Sequence, residues 1–187
     1  MGKTTVANMF RRHGVPVHDS DAAVHALYAG VAAPLIEARF PGTVHGQIVD
    51  RNLLAQRVFG DDSALAQLEA IVHPLIFRHR SEFLKSQKAL GRSLVVLDIP
   101  LLLEVKAQSE VDFIAVVSST PEVQKQRVLS RPGMSEARFA QILAKQMPDS
   151  EKRRLADFVI NTNGSLVETE KQVVEVLRHC QDSQTES

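Results

Sequence analysis

The residues richest in chemistry open the chain: Gly2-Lys3-Thr4-Thr5, followed by a stretch to His13 in which Val6, Met9 and Phe10 share one apolar helical face. Glycine, lysine and a hydroxyl in that order at a helix start form the second half of the phosphate-binding pattern G-x-x-x-x-G-K-[ST]. Glycine lets the backbone approach phosphate oxygens, and the helix N-terminus offers unpaired N–H groups and a partial positive charge. Lys3 reaches terminal phosphates, and the hydroxyl of Thr4 suits a magnesium ion. By itself the tripeptide reads as an ordinary helix start with an exposed lysine, so its company decides.

Leu94-Val95-Val96-Leu97 is an apolar run closing on Asp98, the form of a strand that points a carboxylate toward a metal beside a phosphate loop. The plainer alternative is a strand followed by a capping aspartate. Asp19 and Asp21 follow the short extended run Val15-Pro16-Val17-His18 and open a second helix that reaches Tyr28. Alternation along a strand end aims them in different directions. A carboxylate at the carboxyl end of a parallel strand lies where open α/β sheets bind ligands, and it can accept a proton from a hydroxyl nucleophile. The competing role, a helix N-cap, suits one of the two.

Residues 125–154 carry Lys125, Arg127, Arg131, Arg138, Lys145, Lys152, Arg153 and Arg154 against Glu136, Asp149 and Glu151, a local charge of +5. Such a segment can close over a triphosphate, with Arg131-Pro132-Gly133 as a hinged tip, or simply present solvated basic faces. Elsewhere the pattern excludes more than it suggests. The seven histidines show no metal-ligand spacing and there is one cysteine, Cys180, so neither a zinc site nor a disulfide is expected. No G-x-S-x-G elbow appears, which disfavours a serine hydrolase.

Those residues must be positioned by the remaining elements. At 187 residues, 44% hydrophobic and 24% charged, the chain suits one globular domain. Twenty-two basic and twenty-two acidic residues leave no net charge to gather nucleic acid or an acidic membrane surface. No segment reaches the roughly 18 apolar residues of a membrane span, and no signal-peptide core follows Met1, so a cytoplasmic home is expected. Residues 31–92 read as almost wholly helical, punctuated by Pro41-Gly42, Gly46, Gly60 and His73-Pro74. Strands are expected at 94–97, 113–117 and 158–160, and helices at 122–130, 136–147 and 166–179, with a frayed polar tail from Gln181. Alternation of strands and helices specifies an α/β fold with a parallel sheet and flanking helices. Nothing in the pattern specifies an oligomeric state.

Six blocks, taken together, resemble the dephospho-CoA kinase family of phosphate-loop kinases. They are Gly2-Lys3-Thr4-Thr5-Val6-Ala7, Val17-His18-Asp19-Ser20-Asp21, His73-Pro74-Leu75-Ile76, Pro100-Leu101-Leu102-Leu103-Glu104, Gln126-Arg127 and Val159-Ile160-Asn161-Thr162-Asn163-Gly164. The resemblance runs in order from residue 1 to about 178, and the paired aspartates, His-Pro-Leu-Ile and Pro-Leu-Leu-x-Glu are particular to that family. It implies phosphorylation of the ribose 3′-hydroxyl of dephospho-CoA by ATP with Mg2+, the last step of coenzyme A synthesis. It also implies one kinase domain over 1–187, with a helical substrate-binding region at about 31–92 and a lid at about 127–154. Carried over by position, Met1, Gly2, Lys3, Thr4 and Thr5 match the nucleotide phosphate site, Asn163 matches a position near the adenine, and Thr4 and Asp98 match the metal shell. Asp21 matches the aspartate that orients and deprotonates the acceptor hydroxyl, and Arg131 falls in the lid. His73, Pro100, Leu101, Leu102 and Glu104 match the region around the acceptor.

The resemblance departs at its start. The family begins with an apolar strand and the first loop glycine, whereas here Met1 directly precedes Gly2, as expected of a start codon placed too far downstream or of a truncated product. The first central strand is then missing. Loss of about three charge-assisted backbone hydrogen bonds at ~1.5–3 kcal/mol each implies a deficit of roughly 4–9 kcal/mol in phosphate binding. Two other readings follow from the same residues: a kinase for another small hydroxyl acceptor, or an inert remnant that keeps a CoA-like ligand or a partner.

Overall fold

The computed structural model describes residues 2–144 and 146–185. Two compact units emerge: one joins the chain up to Val17 with everything from Pro100 on, and the other is His18–Ile99.

In the first unit, α1 (Lys3–Arg12) buries Val6, Ala7, Met9 and Phe10, the three-and-four spacing of a single apolar stripe. That stripe packs on α9 (Leu166–Thr185), whose Val173, Val176, Leu177 and Cys180 are buried. Glu170 of α9 fixes the other end of α1, receiving Arg12 and His13 at 3.3 Å each. Behind them, β5 (Ala115–Ser118) and β6 (Phe158–Asn161) run parallel, with Val116 opposite Val159 and Ser118 opposite Asn161. Between these strands the chain forms α6 (Pro121–Leu129), α7 (Glu136–Ala144) and α8 (Asp149–Arg154). A capping box starts α9: Ser165 N donates to the Glu168 carboxylate at 2.7 Å, and Glu168 N donates to Ser165 Oγ at 3.2 Å. The helix continues through Thr185, into the stretch from Gln181 expected to fray, and residues 186–187 of that stretch lie outside the described residues. Exposed polar residues extend a helix readily when its preceding turns are already packed.

The second unit pairs β1 (Val17–Asp19) with β4 (Val96–Asp98). Four helices accompany them: α2 (Ser20–Tyr28), α3 (Ala33–Arg39), α4 (Arg51–Val58) and α5 (Asp62–Ala89). Three of these helices start on an aspartate cap, Asp19 to Ala22 N, Asp50 to Asn52 and Leu53 N, and Asp61 to Ala64 N, at 2.9–3.1 Å. Leu27, Ile36, Phe40, Val49, Leu54 and Leu68 close the core.

Two expectations for 31–92 are corrected. His73-Pro74 does not interrupt the helix: α5 runs through Pro74, although proline removes one ladder donor. In addition, the region contains a hairpin of β2 (Val44–His45) and β3 (Ile48–Val49), with Val44 opposite Val49. Its two-residue loop has φ 56° at Gly46 and φ 68° at Gln47, the primed turn that matches strand twist. Strands of two residues are too short for alternation to register. No described helix is long and apolar enough to cross a membrane.

Replacing Ile36, fully buried, with alanine is expected to cost ~2–5 kcal/mol in denaturant unfolding, whereas Ile48→Ala, at a site 56% exposed, should cost well under half as much. Equal losses at both positions would contradict this placement of the core.

Candidate active site

In the first unit, Gly2 caps α1 in the left-handed region, φ 87° and ψ 17°. A side chain there would strain the backbone, which accounts for glycine at this position. No side chain caps this helix and its first turn holds no acidic residue. The macrodipole at this helix start favours negative charge. Thr4 and Thr5 are exposed, and Lys3 is half-buried at the first helical position. Met1 lies outside the described residues, as does Lys145 of the basic segment.

Thr162, which follows β6, faces Gly2: a Cβ built on the glycine would lie 3.6 Å from the threonine methyl. Thr162 is buried, and its Oγ1 donates to Ser118 O at 3.1 Å while accepting from Arg127 Nη1 at 3.0 Å. Arg127 Nη2 also donates to Thr162 O at 2.7 Å. Next to it, Asn163 Oδ1 accepts from Thr120 N at 2.7 Å, joining the chain ends that leave β5 and β6. By sequence Asn163 is picked out as a site residue, whereas Arg127 and Thr162, both in blocks that carry the resemblance, receive no role of their own. The available signal was that both lie in blocks shared with one kinase family.

The Pro100–Glu104 block forms a turn in which Leu103 is buried, Pro100 and Leu101 are exposed and Leu102 is half-buried. Glu104 accepts from Lys152 Nζ at 2.6 Å and from Met147 N at 3.2 Å, so its carboxylate ties the block to the start of α8. Burial pushes this carboxyl up, but the hydrogen bonds and charge of Lys152 and the backbone donors outweigh it and hold it below the ordinary glutamate range. Arg131 is exposed in the turn between α6 and α7, and Lys125 pairs with Glu136 across that turn at 2.9 Å.

In the second unit, Asp19 is the α2 cap and Asp21 stands exposed in the first turn. One aspartate is thus committed to structure. Asp98 ends β4 and is buried. His73 is exposed on α5 and, with Phe77, Arg78, Ser81 and Lys85, lines a groove of about 570 Å³. The phosphate-loop residues and Asn163 fall in one unit, and Asp21, Asp98 and His73 in the other.

The residue ahead of Asp19 is also tied down. His18 is buried, its Nε2 lies 3.0 Å from Nδ1 of His79 on α5, and its ring meets Phe83 at 5.3 Å. Burial lowers its pKa, His79 and Arg80 lower it further, and Asp19 opposes them. Asp98 closes β4, the strand beside it.

The dephospho-CoA kinase family model matches residues 1–168 of the chain. A dephospho-CoA kinase of Mesorhizobium japonicum is 58% identical over 166 residues, covering 89% of this chain and 84% of that protein. One from Rhizobium etli is 50% identical over 177 residues, covering 95% and 87%. Among solved structures, TT1252 from Thermus thermophilus superposes with a TM-score of 0.81 at 35% identity, covering 95% of this chain and 91% of that one. A dephospho-CoA kinase from Campylobacter jejuni, 24% identical and covering 98% and 93%, shares the fold at a TM-score of 0.73.

Because the folded chain holds His18 below its ordinary pKa, the unfolded chain binds the extra proton more readily. Stability is therefore expected to be full above about pH 6.5, the unperturbed histidine value, and to fall as the pH drops below it. Denaturant midpoints at pH 7.5 and 5.5 check this: His18→Leu should flatten the difference, and an unchanged slope would contradict it.

Proposed function

The chain belongs to the dephospho-CoA kinase family, and we propose that it transfers the γ-phosphoryl group of ATP to the 3′-hydroxyl of the ribose of dephospho-CoA, giving coenzyme A. The observation that carries this reading is the uncapped start of α1, where a left-handed Gly2 leads directly into Lys3 and Thr4. Backbone amides there receive phosphate oxygens, and the Lys3 ammonium offsets charge as it builds on the transferring group.

Magnesium fits the donor set in chemical type. Thr4 offers a hydroxyl and Asp98 a carboxylate, hard oxygen donors of the kind Mg2+ takes together with phosphate oxygens and water. Among the described residues no three His, Cys, Asp or Glu side chains cluster. When bound, the ion screens the phosphate charge. Asp21, exposed in the first turn of α2, aligns the acceptor hydroxyl and takes its proton, with Asp19 occupied as the cap. Asn163 lies toward the adenine, and Arg131 at the lid tip meets the charge that develops during transfer. His73, with Pro100, Leu101 and Leu102, contributes to the acceptor region. Glu104 serves that region by holding its turn, since Lys152 and Met147 N engage its carboxylate. We assign the substrate-binding region to about 31–92 and the lid to about 127–154, within one kinase domain over 1–187.

The full phosphate-loop pattern asks for one glycine and four spacers ahead of Gly2, and of these the 187 residues supply Met1. A chain in which an apolar strand and the loop glycine precede Gly2 is expected to phosphorylate dephospho-CoA with ATP. If such a chain folds and phosphorylates other hydroxyl compounds but not dephospho-CoA, the acceptor is misassigned.

Asp21→Asn in that chain should lower kcat by about 10²–10⁴-fold with ATP affinity nearly unchanged. Asp19→Asn should cost little, because asparagine caps a helix as well as aspartate does. A larger loss at Asp19 would reverse the two roles. Lys3→Ala should leave the fold intact and damage nucleotide use, and near-normal turnover in that variant would remove the phosphate-loop reading.

A further inference from the structure

Thr162 belongs to no catalytic pattern, yet its surroundings are tightly constrained. The backbone N–H of Thr162 donates to Ser118 O at 2.9 Å, extending the parallel β5–β6 ladder by one step. Its hydroxyl donates to the same carbonyl and accepts from Arg127 Nη1. A hydroxyl has one hydrogen to give, so giving it to Ser118 O leaves a lone pair for the guanidinium and fixes the rotamer. With the hydroxyl committed, the methyl is the atom nearest to where a Gly2 side chain would begin. The second Arg127 bond, to Thr162 O, makes the contact a two-pronged clamp that a lysine cannot reproduce.

We propose that Thr162 and Arg127 are positioning residues for the nucleotide phosphates: Thr162 is the floor under Gly2, and Arg127 locks that floor in place from α6. This rests on the phosphate-loop reading above. It assigns Arg127 a role distinct from that of Arg131, although both lie in the same basic segment. Arg131 is exposed at the turn between α6 and α7, whereas the Arg127 guanidinium is engaged inside the unit. The left-handed turn at Gly2 has no capping side chain of its own. Its orientation is then set by the packing of α1 on α9 together with the Thr162 methyl beneath it. A shift there redirects the leading amides of α1, and so acts on phosphate binding before it acts on the acceptor.

A double-mutant cycle of Thr162→Val and Arg127→Lys tests the proposal, with Thr162→Ser as a third variant. ATP affinity is read by calorimetry, KM is read for each substrate, and the amide shifts of Gly2 and Lys3 are read by NMR without nucleotide. Losing a hydrogen bond to a charged group is expected to weaken ATP binding about ten- to a hundredfold in either single variant. KM for dephospho-CoA should stay within about twofold. Because both substitutions break one clamp, the double variant should be little worse than either single one. Thr162→Ser, which keeps the hydroxyl for Arg127 but removes the methyl under Gly2, should recover only part of the affinity, and the amide shifts should move in Thr162→Val and Arg127→Lys alike. Additive losses in ATP affinity would mean that Arg127 touches the nucleotide itself and would overturn the proposal. So would amide shifts that stay put, or losses shared equally by both substrates. Should dephospho-CoA prove not to be the acceptor, the acceptor assignment fails, while ATP affinity and the amide shifts still decide for or against the clamp.

Discussion

At Gly2 the backbone enters the left-handed region, which costs a residue with a side chain about 1–2 kcal/mol, and it does so directly over the methyl of a buried threonine. Much of the first unit is arranged around that turn. The parallel β5–β6 pair carries Ser118 and Thr162 to the same end, Arg127 clamps Thr162, and α9 packs against the apolar stripe of α1. A helix start that no side chain caps suits an anion by its macrodipole, which is the ground for the phosphate site proposed there.

The same economy appears among the carboxylates. Asp19 caps α2, and Glu104 holds Lys152 and the Met147 amide. Both are acidic residues in family-specific blocks, and both have structural partners close at hand. Breaking the largely buried Glu104–Lys152 pair from one side would leave an uncompensated charge, which is far costlier than replacing both partners together. Asp21, by contrast, is exposed in its helical turn, and that position leaves its carboxylate accessible to chemistry.

Long periodic elements were legible in the residues. The apolar spacing of Val6, Met9 and Phe10 located α1 to within a residue or so, and the runs ending at Ser118 and around Ile160 located the parallel pair. What escaped was short or cooperative. The β2–β3 hairpin depends on two positive φ angles at Gly46 and Gln47, with strands too brief to alternate. α5 passes through Pro74 because the packing of Leu68, Val72 and their neighbours outweighs one lost donor. At the proposed site, Gly2, Lys3 and Thr4 are candidates by type and spacing, and Asn163 by the family resemblance. The Arg127–Thr162 clamp and the Glu104–Lys152 pair join residues 35 and 48 positions apart, and spacing carries no information about partners so distant in sequence.

The proposed function makes one regiochemical demand, the transfer of phosphate to a single ribose oxygen. Incubating the enzyme with ATP and dephospho-CoA and locating the new phosphate by phosphorus–proton correlation NMR tests that demand most directly. The expected result is a monoester coupled to the ribose 3′ proton, with formation abolished when ATP is withheld. A product phosphorylated at the 2′ oxygen or on the pantetheine arm, or ATP hydrolysed with no phosphate on dephospho-CoA, would contradict it.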